Sequence, residues 1–100
     1  MKTKSEFLSE EIVELLNYRI EQEEFSSRTY LSMSLWATDK GYLGAGKLFN
    51  KYSEEEMAHA DKARAMLLAN GIQPTTPALK KPEQEFQNLP NAIKVAFDHE

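Results

Sequence analysis

One hundred residues, 41% of them apolar, suffice for one small globular domain with a modest core. The net charge of −4, from 16 acidic against 12 basic residues, comes without a basic cluster to track phosphates, which argues against a nucleic-acid partner and for a cation. Cysteine is absent, excluding disulfides and thiolate metal ligands.

The opening stretch MKTKSEFLSEE lacks the apolar run of a signal peptide, and no segment approaches the roughly 20 apolar residues of a membrane span. A soluble, cytoplasmic chain without a membrane partner is expected. Ser5 or Ser9, each followed by acids, supplies a helix N-cap, and from Phe7 to Asp39 no proline or glycine stops the helix. Counting alternately four and three residues gives a buried seam of Ile12, Leu16, Arg19, Glu23, Ser26, Tyr30, Met33 and Ala37, flanked by Leu15 and Ile20. Asp39-Lys40-Gly41 ends this helix with a left-handed glycine, and the short connection to Gly46 turns the next helix back antiparallel.

The second helix is predicted over 46–70. Asn70-Gly71 marks its end, where Lys62 and Arg64 suit the macrodipole. The same count from Ala45 gives Phe49, Tyr52, Glu56, His59, Ala63 and Met66. An ionisable group turned into an apolar seam is costly unless a charge, a hydrogen-bond network or a metal compensates it, so Glu56 and His59 are the first functional candidates. From Ile72 to Gln87, Pro74, Pro77 and Pro82 disfavour helix and leave an extended connection long enough to travel the length of a bundle. Asn88 caps a third helix with Pro90 in its first turn, and Leu89, Ile93, Ala96 and Glu100 follow the count, placing a third acid in a seam.

Glu23 from one helix and Glu56-x-x-His59 from its antiparallel neighbour form half of the ligand set that carboxylate-bridged two-metal sites draw from a four-helix bundle. Residues three apart share a helix face, so the Glu56 carboxylate and the His59 imidazole can reach one ion. Oxygen and nitrogen donors without sulfur suit iron, manganese or zinc. Either residue alone reads first as a core histidine or an ion-paired acid. Two acids and a histidine in matching seams of paired helices carry the signal. Trp36 and Tyr52 read as packing residues, His99 as a surface histidine, and Glu10, Glu11, Glu21 and Glu24 as a solvated acidic face that could also guide cations.

Through LLNYRIEQEEFSSRTYLSMSLW (15–36), EEEMAHADKARAMLLANG (54–71) and, more weakly, the proline-containing loop and FDHE (97–100), the sequence resembles the bacterial non-haem ferritins. The resemblance implies an all-α, ferritin-like four-helix bundle, of which residues 1–100 carry the antiparallel A/B hairpin, the crossing loop and the start of helix C as one domain. It implies that Glu23, Glu56 and His59 hold the first iron of a di-iron ferroxidase centre, Glu56 bridging to the second. Glu100 matches a second-iron ligand and Glu55 an acid that some bacterial members use for a third, outlying iron. Tyr30 matches a tyrosine close to the site, where it would orient groups or donate an electron. Met57 stands where the related bacterioferritins carry a haem-binding methionine, although non-haem members can also have methionine there. The implied function is iron storage and detoxification, in which dioxygen or peroxide oxidises Fe(II) and an oligomeric shell keeps the ferric product.

A ferritin continues helix C and adds helix D, and neither is in this sequence. Two assemblies are therefore expected, a 24-subunit shell if the chain is part of a ferritin, or a dimer of hairpins sharing two copies of Glu23 and Glu56/His59 if it is complete. The alternative functions are a ferritin-like di-iron peroxide reductase, which the missing cysteine-rich electron-transfer site argues against, and a non-catalytic helical-hairpin oligomerisation module.

Overall fold

The computed structural model describes residues 8–99, which form a rod of 51 × 20 × 19 Å built from two long helices and a short one, with no strand among the described residues. α1 runs Glu10–Asp39. Ser9 is its cap, extended in backbone, with its Oγ accepting the Ile12 N–H at 3.2 Å, whereas Ser5 lies outside the described residues. Glu10 and Glu11 occupy the first turn, where the helix dipole favours negative charge. At the other end Gly41 adopts φ 90° and the Tyr42 N–H reaches back to the Ala37 carbonyl at 2.8 Å, so the left-handed stop forms as expected.

α2, Leu43–Ala69, starts earlier than the glycines at 44 and 46 suggest. Gly46 belongs to the helix, not to the connection, because α2 crosses α1 there. A Cβ at residue 46 would overlap Thr38 Oγ1 and lie 3.3 Å from the Ser34 carbonyl oxygen. Ser34 Oγ in turn donates to the Gly46 carbonyl at 2.6 Å. Alanine gains about 1 kcal/mol of helix propensity over glycine, so only the steric conflict can make it unfavourable here. We expect Gly46→Ala to destabilise the chain by about 1 to 2 kcal/mol, and to do so no longer in a Thr38→Ala background, as measured by thermal melting.

α2 ends at Gly71, φ 74°, with the Ile72 N–H bonded to the Leu67 carbonyl at 3.0 Å and both side chains buried together. The chain then runs extended along α1. The Thr75 N–H donates to Asn17 Oδ1 at 2.9 Å, the Ser32 hydroxyl donates to the Glu83 carbonyl, and Phe86 packs edge-on against Trp36. This strap delivers α3, Leu89–His99, whose first turn is capped by Asn88 Oδ1 accepting the Asn91 N–H at 2.8 Å. No helix among the described residues is long and apolar enough to cross a membrane.

The core is split. Tyr30, Met33, Trp36, Ala37 and Phe49 meet Ala92 and Ala96 of α3 at one end, while Ile20, Ala63, Leu67 and Ile72 cluster at the other. Between them lies a polar girdle, where Ser27 Oγ donates to the Ser53 carbonyl at 2.8 Å and Ser53 Oγ to the Ser27 carbonyl at 2.7 Å. The expected seams need correction at both helices. Tyr30, Met33 and Ala37 are buried as predicted, but Ile12, Leu15 and Arg19 are exposed and Ser26 is only half-buried, since α3 covers α1 over its second half alone. On α2 the fully buried line is Gly46, Phe49, Ser53, Ala60, Ala63 and Leu67. Small residues on that line let the helices approach closely, and the larger Tyr52, His59 and Met66 move to the edge. On α3 the inward residues are Ala92 and Ala96, with Ile93 exposed at 41%.

Candidate metal centre

Glu23 sits near the middle of α1, and Glu56 and His59 near the middle of α2, at the edge of the polar girdle. His59 Nδ1 lies 3.1 Å from Glu23 Oε2 and 3.9 Å from Glu56 Oε1. One potential ligand atom from each of the three lies within 4.8 Å of the others. Both carboxylates are half-buried, while His59 keeps 48% of its side chain open to solvent. The three residues singled out by periodicity therefore converge, although at an edge and not in the centre of the seam.

Burial alone would raise the Glu23 carboxyl. Hydrogen bonding with Glu56 and His59, together with the charges of His59 and of Arg19 3.8 Å away, outweighs it and holds the group below its ordinary value. Glu23 is thus an anion at neutral pH. Because Nδ1 of His59 faces carboxylate oxygens, it carries the proton and donates to Glu23. A divalent cation would take that proton's place, and two carboxylates with a neutral imidazole match its charge and its preference for oxygen and nitrogen.

A cleft of about 520 Å³ opens beside these ligands, walled by Tyr30, Tyr52, Phe97, Ile93 and Glu55. Tyr30 is almost fully buried. Its hydroxyl donates to the Ala96 carbonyl at 3.4 Å and its ring stands edge-on to Tyr52, with centroids 5.5 Å apart. Glu55 is exposed at the cleft and is not one of the three converging ligands. Glu100 lies outside the described residues, as does the side chain of His99. Trp36 and Tyr52 pack in the apolar cluster, as expected.

Across the α1–α2 contact is a second polar cluster that the sequence reading missed. Arg64 Nη1 donates to Glu24 Oε2 at 3.1 Å, and its Nη2 donates to Asp61 Oδ1 at 2.7 Å and to Met57 Sδ at 3.5 Å. Glu24 is therefore an interhelical partner and no part of a solvated face, while Glu10 and Glu11 are exposed as predicted. Arg64 bridges the helices instead of facing the dipole, and no basic residue occupies the last turn of α2. A second four-three line carried the signal: Ile20, Glu24, Ser27, Leu31 and Ser34 on α1 against Ser53, Met57, Ala60, Arg64 and Leu67 on α2, with opposite charges at Glu24 and Arg64.

Comparison with known proteins shows the family of the chain. The ferritin family model, described as a ferritin-like domain, matches residues 13–100. A probable bacterial non-heme ferritin-like protein of Haemophilus influenzae and a bacterial non-heme ferritin of Campylobacter jejuni are each 34% identical over 93% of this chain. The chain spans only 56% of the length of either relative. The crystal structure of an open pore ferritin from the archaeon Archaeoglobus fulgidus superposes with a TM-score of 0.86 at 28% identity, covering 92% of this chain and 56% of that one. The matched span holds α1 from Val13 onward, all of α2, the strap and the three converging ligands, and the chain belongs to the ferritin-like domain family.

Proposed function

We propose that this chain binds Fe(II) through Glu23, Glu56 and His59 and promotes its oxidation as part of an iron-storage ferritin. The convergence of two carboxylates and an imidazole from paired helices, beside an open cleft, carries the reading. The names of the matched relatives support it. Hard anionic oxygen donors stabilise Fe(III) more than Fe(II), so the site makes each iron's loss of one electron to dioxygen or peroxide easier. Glu56 faces the cleft and would be the carboxylate to bridge to a second iron, with Glu55 as a stepping point at the cleft and Glu100, by the resemblance, as a further ligand.

The open face is the surface through which the chain associates. Phe97 is 76% exposed and Met66 50%, and His59 opens toward the same side. α3 already covers the Tyr30 and Phe49 end of the hairpin, so a second hairpin could cover this face fully only by displacing α3. That favours a ferritin-like bundle closed by further helix, assembled into a storage shell, over two hairpins about a shared site. Given Fe(II) in air, the protein should develop ferric absorbance faster than buffer does, and Glu23→Ala should slow it toward the buffer rate. Equal rates in wild type, variant and buffer would leave a non-catalytic helical module as the reading.

A further inference from the structure

The Arg64 cluster has no part in the metal site as described, yet each of its partners is a near neighbour in sequence of one of the ligands. Glu24 follows Glu23, Met57 follows Glu56, and Asp61 stands two positions beyond His59. Successive residues on a helix point about 100° apart, so a ligand and its neighbour face opposite edges of one helix contact. Given the reading of Glu23, Glu56 and His59 as metal ligands, we infer that Arg64 is a positioning residue for that centre, fixing the rotation of α1 against α2 from the far edge so that the three ligand atoms converge.

Apolar packing does not supply this restraint. The two apolar clusters hold the ends of the hairpin, whereas at mid-length, beyond the hydrogen bonds that Glu23 makes within the ligand set itself, the Ser27/Ser53 pair and the Arg64 fork tie the helices by directional bonds among the contacts described. Serine and alanine at the contact bring the backbones close but leave rotation weakly specified, since small side chains interlock little. The Arg64 side chain is 28% exposed, and its guanidinium spans from Glu24 on α1 to Asp61 and Met57 on α2. A planar fork can hold all of these at once, which a lysine ammonium on a flexible stem cannot. A partly exposed ion pair contributes little to global stability, while a ligand set tolerates misplacement of only about 0.5 Å. The effect should therefore appear in metal binding more than in folding.

Co(II) is the probe, because its visible absorption reports ligand geometry without turnover. With the full chain, Arg64→Met and Glu24→Met should each weaken Co(II) binding roughly tenfold and alter the visible band at unchanged helix content. Their double variant should be no worse than either alone. Arg64→Lys should recover part of the affinity. Wild-type affinity and spectrum in Arg64→Met or Glu24→Met would overturn the inference, as would losses that follow the fraction unfolded. If Arg64→Met does not fold, Glu24→Met, which removes the acceptor on α1, carries the test. Wild-type protein that fails to bind Co(II), or that binds it equally well after Glu56→Ala, would instead overturn the metal reading, and the positioning role with it.

Discussion

Tyr30→Ala is expected to lower the thermal midpoint by on the order of 20 °C, or to prevent folding. Truncating a buried aromatic costs about 3 to 5 kcal/mol, and a domain of this size loses roughly 4 to 8 °C per kcal/mol. Tyr30 is 1% exposed at the point where all three helices meet, packed with Met33 and Phe49, edge-on to Tyr52 and against Ala96. A small domain holds only about 5 to 15 kcal/mol of net stability, so the cavity removes much of it. Tyr30→Phe is different. It gives up a hydroxyl whose bond to the Ala96 carbonyl is long at 3.4 Å, a loss of about 1 kcal/mol or less. Melting curves of the two variants separate ring from hydroxyl, and equal destabilisation by both would contradict this division. With its fold intact, Tyr30→Phe then reads any role of the hydroxyl in Fe(II) oxidation.

The second large effect is on binding. Glu56→Ala and His59→Ala are each expected to weaken divalent-metal affinity by about 100-fold or more, since losing even a supporting residue costs about 10- to 100-fold and these supply donor atoms. Without metal the fold should tolerate both changes, because the two side chains lie at the rim of the helix contact and not in either apolar cluster. Acid should act on both quantities in one direction. The folded-state value of Glu23 lies below its ordinary 4.5, so its contribution to stability is present above that value and lost as pH falls through the lower one. Protons also compete with metal for His59 and the carboxylates, so affinity should fall as pH falls. Calorimetric titration of wild type and both variants checks the set, and an unchanged affinity in either variant would remove that residue from the site.

Much of this was legible in the sequence because helical periodicity is a strong signal over two long helices free of proline. The hairpin, the left-handed glycines at 41 and 71, the proline strap and the Asn88 cap all follow from local chemistry that the structure repeats. Glu23, Glu56 and His59 were found by the same count, as polar intruders in apolar lines. What escaped depends on tertiary approach. Gly46 looked like a turn residue and is instead a close crossing point, which only the position of Thr38 reveals. Ile12 and Leu15 looked buried because periodicity shows an apolar face but not whether a neighbour covers it. Glu24 looked like a surface charge and Arg64 like a partner of the helix dipole, because ion pairs between helices depend on a rotational setting that one helix pattern does not specify.

Anomalous diffraction from crystals soaked with Fe(II) without oxygen tests the central claim most directly. The predicted result is an iron peak within bonding distance of Glu23, Glu56 and His59, absent from crystals of Glu56→Ala. Iron found only elsewhere on the acidic surface, or an unchanged peak in Glu56→Ala, would contradict it.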